Sequence, residues 1–252
     1  MTGWLEPLRE ALDRSRRTVT FFFRDDDAGW RDERLVELLD LFARRGVPLD
    51  VGAIPVDLSP RVAAELRARA AHAPHLLGIH QHGYAHVNHE REGRPCEFGP
   101  SRACAAQLAD LRAGRRRLEE LLGPVVQPIF SPPWNRCTPG TGECLVRAGI
   151  PVLSRDRTAQ PLDVPGLREL PVQVDWCKKR KGRRLGRAAV GELLAARARE
   201  LVPLGVMLHH AEMEREDMTA VAELLDLVAA HSRARCLSMA AVLDNLPGEE
   251  AA

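Results

Sequence analysis

The chain alternates short apolar runs with longer segments in which apolar residues recur at helical spacing. The first run, Thr18–Phe23, is β-branched and aromatic throughout, which predicts a buried parallel strand. Similar runs predict strands at 49–54, 75–79, 125–130, 151–154, 167–174 and 205–208. The periodic segments predict helices at 4–16, 35–42, 60–73, 101–122, 138–148, 188–201, 214–231 and 238–246.

This alternation of strand and helix indicates a parallel sheet with helices packed outside it, which is an α/β fold. No composition break and no Gly/Ser-rich linker divides the chain. We therefore expect a single domain over residues 1–252, with a leading helix at 4–16 and a core from about 18 to 246.

Unusual polar and aromatic residues follow five of the predicted strands. They are Asp25, Asp26 and Asp27 after the first, His80, His82 and His86 after the third, Trp134, Asn135 and Arg136 after the fourth, Asp175 and Trp176 after the sixth, and His209 and His210 after the seventh. The carboxyl ends of parallel strands meet at one face of a barrel, and active sites lie there. We therefore expect these side chains to converge, although they are far apart in sequence.

Histidines are concentrated in the segment 79–89. Four of the nine in the chain lie there: His80, His82, His86 and His89. His82 and His86 are four residues apart and can reach one metal ion if the backbone turns between them. A carboxylate from Asp25–Asp27 would complete such a site, whereas His80 and His89 are either ligands or partners of ligands. Two alternatives remain open: a solvated His-rich loop, and an aspartate cluster that only caps the following helix.

Composition and charge narrow the classes of function. Lys plus Arg is 36 and Asp plus Glu is 35, so the net charge of +1 gives no general attraction to nucleic acid or membrane. The N-terminus lacks the apolar core of a secretory signal, from which we expect a cytoplasmic protein whose six cysteines are reduced thiols. The basic stretch 178–184 is either a solvated loop or an attractor for a phosphate-bearing substrate.

The strand-end motifs resemble those of the polysaccharide deacetylases of the NodB-homology type, which form carbohydrate esterase family 4. The resemblance extends from residue 18 to about 212. Its five motifs correspond to Phe23–Gly29, His82–His86, Ser131–Asn135, Asp175–Trp176 and Val206–His210. The resemblance implies a single-domain, distorted (β/α)7 barrel that holds Zn²⁺ or another divalent transition metal.

The resemblance also implies roles for individual residues. His82, His86 and one aspartate hold the metal, and the neighbouring aspartate is the general base. The extra aspartate makes the register ambiguous; we assign Asp26 as the base and Asp27 as the ligand, and leave Asp25 open. The acid that protonates the leaving nitrogen is His209 or His210, with His209 preferred and Asp175 as its carboxylate partner.

The chain departs from the family pattern in its third motif. Ser131 replaces the arginine that orients the base, so Arg136 or Arg24 would have to supply that charge, and Asn135 replaces a glycine. The remaining candidates are predicted to contact the substrate: Tyr84 through its backbone N–H, Trp134 and Trp176 as flat apolar walls, and Asn135 and His210. As alternatives, the two tryptophans belong to the core, and Asp175 pairs with Lys178 or Lys179.

The function expected from these residues is hydrolysis of an N-acyl group, on an N-acetylated sugar or a related small amide. A second hypothesis is hydrolysis of another non-peptide C–N bond, in a cyclic amide or a formamide, which the altered third motif favours. A third is a metal-containing barrel that binds a carbohydrate or nucleotide without turnover. We expect no nucleic-acid or membrane partner, and leave homo-oligomerisation open.

Overall fold

The computed structural model describes residues 3–180, 182–200 and 202–246. The predicted domain ends (1–2 and 247–252), the predicted helix end at residue 201, and Lys181 of the basic stretch lie outside the described residues. The helices are α1 (Glu6–Asp13), α2 (Asp32–Ala43), α3 (Pro60–His72), α4 (Cys104–Leu122), α5 (Pro139–Arg147), α6 (Arg187–Ala198), α7 (Arg215–Ala230) and α8 (Met239–Asn245). The strands are β1 (Val19–Ala28), β2 (Leu49–Ala53), β3 (Leu77–His82), β4 (Val126–Ser131), β5 (Val152–Leu153), β6 (Arg168–Glu169), β7 (Val174–Asp175), β8 (Lys179–Arg180), β9 (Arg183–Arg184), β10 (Leu204–Leu208) and β11 (Ala234–Cys236).

The main sheet is parallel, and its strands follow the order β6-β5-β4-β3-β2-β1-β10-β7, with β11 paired to one end of β1. The curled sheet with helices outside is the distorted (β/α)7 barrel expected from the motifs. β1 lies at its centre, between β2 and β10. The carboxyl ends of β1, β3, β4, β7 and β10 therefore reach the same face, as parallel strands require.

Several predicted boundaries differ in the structure. β1 continues through Asp25–Asp27 to Ala28, whereas the sequence predicts that it stops before these charges. The strand can continue because Asp25 and Asp26 have buried partners, His210 and Arg24. The predicted strand 167–174 is two short strands, β6 and β7, and β11 was not predicted. The basic stretch forms the antiparallel hairpin β8–β9.

Three apolar clusters form the core, and two of them lie on opposite faces of the sheet. The larger of these two lies between the sheet and the outer helices, and includes Phe21, Phe23 and Phe42. The smaller of the two fills one end of the barrel and includes Phe22, Met207 and Met239 of α8. The alternation of Phe22 with Phe21 and Phe23 follows from the period of two in a strand. Burial on both faces explains why the run 18–23 is apolar throughout.

The cysteines follow the expectation only in part. Cys96, Cys137, Cys177 and Cys236 are free thiols. The sulfur atoms of Cys104 and Cys144 are in direct contact, with Cα atoms 6.6 Å apart, a separation that permits a disulfide. The expectation of six separate thiols is corrected for this pair, which joins the start of α4 to α5. No helix in the described ranges is long and apolar enough to cross a bilayer.

Candidate active site

One carboxylate and two imidazoles converge at the carboxyl ends of β1 and β3. Oδ1 of Asp27 lies 3.3 Å from Nε2 of His82 and 3.4 Å from Nε2 of His86. Side-chain exposure is 8% for Asp27, 2% for His82 and 11% for His86. The cluster is therefore largely buried, and it opens to solvent at His86; we call this side of the cluster the opening. These are the three residues predicted as metal ligands. Asp27, not Asp25 or Asp26, is the aspartate that contacts both histidines.

The backbone around these three residues is held in unusual conformations. Asp27 and His86 have φ of 74° and 54°, in the left-handed region that non-glycine residues rarely adopt. The turn after His82 is fixed by the buried Glu97, whose carboxylate accepts hydrogen bonds from the backbone N–H groups of Tyr84 (3.1 Å) and Ala85 (2.7 Å). Strained residues of this kind are concentrated at functional sites, where the surrounding structure holds them in place.

The donor set suits a divalent transition metal. Oδ1 of Asp27 is buried and has no hydrogen-bond partner among the described residues. Two imidazoles and one carboxylate form a common ligand set of catalytic zinc, which leaves positions for water and substrate. Burial by itself lowers the pKa of His82, but Asp26 and Asp27 outweigh it and raise that pKa above its usual value. The same carboxylates favour a cation at this point.

Asp26 lies beside the cluster and forms an ion pair with Arg24. Nη2 of Arg24 donates to Oδ2 of Asp26 at 2.8 Å, and both side chains are almost fully buried. Burial alone would raise the pKa of Asp26, but the Arg24 guanidinium and nearby imidazoles hold it well below its usual range. Arg136 does not have this role, because its Nη1 donates to the carbonyl of Pro95. Of the two arginines proposed from the sequence, Arg24 therefore orients Asp26.

The Ser131 hydroxyl joins the carboxylate and histidine groups beneath the cluster. Its Oγ lies 2.9 Å from Nδ1 of His82, 3.1 Å from Nε2 of His80 and 3.3 Å from Oδ1 of Asp26. A partner at Nδ1 of His82 leaves Nε2 directed to Asp27 and fixes the ring orientation that a metal ligand needs. His80 is fully buried, and burial lowers its pKa to about 3. His80 is thus a neutral partner of Ser131 and not part of the ligand cluster.

His209 and Asp175 lie on the β10–β7 side of the cluster. His209 is half-buried, and its Nδ1 has no hydrogen-bond partner among the described residues. Burial raises the pKa of Asp175, and the nearby His209 lowers it in part. Burial alone would raise the pKa of Asp26 and Asp27, and the His209 imidazole is among the groups that lower it. Asp175 makes no ion pair with Lys178 or Lys179.

His210 points away from the opening, into a buried pair with Asp25. Nδ1 of His210 lies 2.6 Å from Oδ2 of Asp25, the His210 backbone N–H donates to Oδ1 at 2.9 Å, and Nε2 contacts the carbonyl of Trp30 at 2.7 Å. Burial lowers the pKa of His210, but Asp25 outweighs it and raises the pKa to about 9. The prediction that His210 contacts substrate is wrong, because its side chain is fully buried. The same pair removes Asp25 from the candidate ligands.

Of the two tryptophans predicted to contact substrate, Trp134 lies at the site and Trp176 lies in the core. The Trp134 ring lies 4.5 Å from the His86 ring, at the opening. Trp176 is 6% exposed and packs edge-on against Trp4 at 6.0 Å, so the alternative that it belongs to the core is correct. The backbone N–H of Tyr84 is already bonded to Glu97, which excludes it as a free donor to substrate.

Two further predicted residues lie outside the cluster. Asn135 does not reach into the opening; its Oδ1 accepts hydrogen bonds from Arg24 (2.9 Å) and from the Asp156 backbone N–H (3.0 Å). Asn135 therefore holds the arginine that orients Asp26. His89 is exposed, and its backbone N–H bonds to the carbonyl of Cys96.

Comparison with known proteins adds the decisive observation about the fold. No protein-family model and no curated protein sequence matches this chain. A solved structure from Mycobacterium smegmatis, assigned as a polysaccharide deacetylase, superposes with a TM-score of 0.68 at 18% identity, over 92% of this chain and 91% of that one. This chain has the fold of the family 4 carbohydrate esterases.

Other structures with the family 4 fold agree. A Streptococcus mutans family 4 esterase has a TM-score of 0.59 at 13% identity, over 93% of this chain and 90% of that one. A family 4 acetyl xylan esterase from Clostridium thermocellum, in complex with a cobalt ion, has a TM-score of 0.57 at 13% identity, over 89% and 90%. At such identities the likeness establishes the fold, so function has to be argued from the site.

Sequence reasoning missed three residues of this family 4 fold that shape the site. Ser131 was noted only as the replacement for an arginine, although it is the hydroxyl under His82. Glu97 lies in a polar loop with no motif around it, yet it is 1% exposed. Trp30 follows the aspartate run directly, and its ring lies 4.6 Å from the His86 ring. Adjacency to the first motif was the one signal that could have identified Trp30.

Proposed function

We propose that this protein is a metal-dependent hydrolase that removes an acyl group from nitrogen, on an N-acetylated sugar or a related small amide. One observation carries the proposal: Oδ1 of Asp27 lies 3.3 and 3.4 Å from the ring nitrogens of His82 and His86, beside a second carboxylate that is held by an arginine. The cobalt ion in the acetyl xylan esterase with the same fold supports a metal here.

The three clustered side chains would hold the metal, and Asp26 would act as the general base. When bound, a divalent metal supplies a Lewis acid and lowers the pKa of a water molecule to about 7. Asp26 is ionised at neutral pH, and Arg24 and Ser131 fix its orientation. It can therefore accept the proton of the attacking water without serving as a ligand.

The leaving nitrogen needs a proton, and His209 is our candidate for the acid. It lies on the β10 side, with Asp26 and Asp27 near it. Asp175 adds negative charge on the same side: burial raises the pKa of that carboxyl, and the His209 imidazole lowers it in part. His210, the other candidate from the sequence, is excluded because its ring is enclosed between Asp25 and the Trp30 carbonyl.

Metal content and turnover of matched variants test the proposal. We expect about one zinc or similar ion per chain in the wild type, loss of that ion in His82→Ala, and retention in His89→Ala, whose side chain is exposed in the same segment. Asp26→Asn should keep the metal but lose about 10²- to 10⁴-fold in kcat for release of acetate from N-acetylated sugars, as expected for loss of a general base.

Three outcomes would count against this function. Equal, substoichiometric metal content in the wild type and in His82→Ala would contradict the proposed metal site. Full metal occupancy with turnover of cyclic amides or formamides, but not of acetylated sugars, would favour another C–N hydrolase. Ligand binding without any turnover, unchanged in Asp26→Asn, would favour a binding protein.

A further inference from the structure

Two tryptophans flank the most open of the three clustered residues. The rings of Trp30 and Trp134 lie 4.6 and 4.5 Å from the imidazole ring of His86. Trp30 is 36% exposed, which is unusual for so large an apolar side chain, and Trp134 is half-buried. The indoles therefore form part of the opening beside Asp27 and His82. We call Trp30 and Trp134 the indole pair.

Hydrogen bonds from three directions fix the position of Trp30. Its Nε1 donates to Oδ2 of Asp57 (2.7 Å), its backbone N–H donates to the carbonyl of Asp27 (3.0 Å), and its own carbonyl contacts Nε2 of the buried His210 (2.7 Å). Gly29 permits this turn, because it has φ of 119° and a Cβ there would come within 3.0 Å of Asp57. Trp30 is thus exposed but already ordered.

Trp134 is placed with similar constraint. Its φ of 56° is a left-handed conformation, which costs energy in a residue with a bulky side chain. The following residue, Asn135, shares this conformation and is anchored by Arg24. This backbone conformation directs the Trp134 ring toward His86, which a side chain that only packed in the core would not require.

A rigid, exposed aromatic surface loses little conformational entropy on binding, which makes it an efficient recognition element. The polar atom of the Trp30 indole is already bonded to Asp57, so its exposed ring surface is apolar. Asp57 is itself exposed at the ring edge, where a carboxylate can accept a hydrogen bond from a hydroxyl group. A flat C–H surface bordered by hydroxyl groups fits this combination, and a pyranose ring has that form.

From this geometry we infer that the indole pair binds the apolar face of a pyranose ring next to the acyl group, with Trp30 as a residue that determines specificity for sugar substrates. The inference rests on the proposed function, since it places the sugar beside the proposed metal cluster. It excludes a short acyclic amide as the preferred substrate, because such a molecule has no ring face to lie against an indole.

Kinetics of Trp30 variants test the inference on two substrates, an N-acetylglucosamine oligosaccharide and a small acyclic acetamide. We expect Trp30→Ala to raise KM for the oligosaccharide about tenfold, the size of one lost aromatic contact. We expect no change in kcat, in zinc content or in KM for the acetamide, whereas Trp30→Phe should stay within about threefold of the wild type. Val56→Ala is the matched control, because Val56 is an apolar neighbour that is 43% exposed.

If Trp30 only shielded the cluster from solvent, its replacement would change other quantities. Loss of zinc in Trp30→Ala, or an equal change in KM for both substrates, would overturn the inference. Calorimetric titration of the zinc-loaded Asp26→Asn protein with the oligosaccharide separates the two proposals. If the oligosaccharide binds this protein and the added Trp30→Ala substitution abolishes binding, the role of the indole pair is supported even when the wild type shows no turnover. If Trp30→Ala turns over the oligosaccharide with normal affinity, the role of the indole pair is refuted and the proposed function is not.

Discussion

At the scale of single residues, the buried Arg24 is the feature that most separates this chain from the family 4 motifs that it resembles. Its Nη1 donates to the carbonyl and hydroxyl of Ser154 at 2.8 Å, and its Nη2 reaches Asp26 and Asn135. A fully buried guanidinium is tolerated only when it is paired and hydrogen-bonded. The charge that the third motif lacks therefore comes from β1, two residues before the aspartate it orients.

Replacing Arg24 should impair both catalysis and folding. For Arg24→Gln we expect a loss of about 3–5 kcal/mol in the free energy of unfolding, because Asp26 would be left as an uncompensated buried charge. We also expect kcat to fall about 10- to 100-fold, as for other residues that position a catalytic group without contacting the substrate. Denaturant unfolding and acetate release measure the two effects.

Arg136→Gln is the control, since Arg136 contacts a loop carbonyl. Arg24→Lys retains the charge and allows the kinetic comparison if the glutamine variant does not fold. Equal kcat for the variants at positions 24 and 136 would show that Arg24 does not orient the base.

At the scale of elements, the junction of β2 with α8 contains a buried carboxylate outside the site, Asp50. Asp50 lies opposite Arg24 and Gly78 in the sheet register, and its Oδ2 accepts a hydrogen bond from the backbone N–H of Met239 at 2.8 Å. Its Oδ1 has no partner in the described part of the chain. Burial raises the pKa of Asp50 to about 7, and the Met239 bond offsets this only in part.

Asp50 should make the protein less stable as pH rises. The folded state holds a proton on Asp50 up to pH about 7, whereas the unfolded chain releases it near 3.8, so the free energy of unfolding falls between these values. Asp50→Asn removes the titration but keeps an oxygen that can accept the Met239 hydrogen bond. The stability gained by Asp50→Asn should therefore be small at pH 4, grow up to pH 7 by roughly 4 kcal/mol at most, and then level off.

Urea unfolding across this pH range measures the difference. Asp163→Asn, in an exposed loop, is the matched control and should show no such trend. A stability difference between Asp50→Asn and the wild type that did not vary with pH would contradict the assignment.

At the scale of the whole molecule, the site is assembled from strands that lie far apart in sequence. Asp27 lies near the end of β1, His82 ends β3, His86 lies in the turn after it, and His209 follows β10. Only the parallel order of the curled sheet brings these residues to one face. A metal held by such a set binds the folded state and not the unfolded chain. Binding is therefore coupled to the stability of the whole domain.

Removing the metal should destabilise the whole domain. At a free zinc concentration about 100 times the Kd, the folded state gains about 2.7 kcal/mol, which EDTA should abolish. Asp27→Asn should make the unfolding temperature insensitive to zinc and EDTA, whereas His89→Ala should respond as the wild type does. Zinc-dependent stabilisation that survived Asp27→Asn would place the metal elsewhere.

Local patterns in the sequence were sufficient to predict the order of the elements and the class of site. Ser59 caps α3 and Thr138 caps α5, and such caps depend only on residues within three positions. The His82–His86 spacing likewise indicated the two histidines that meet Asp27, and the apolar run 18–23 indicated the strand β1. Each of these features depends on neighbours within a few residues.

Contacts between distant residues required the tertiary structure. The three aspartates are identical in chemistry and adjacent in sequence, and a register shift after Asp25, with the left-handed Asp27, decides which of them contacts the histidines. Burial of Trp176 against Trp4, and the exclusion of His210 by Asp25, join positions more than 150 residues apart. Propensity and spacing act along the chain, whereas these outcomes depend on how the sheet curls and on which strands become neighbours.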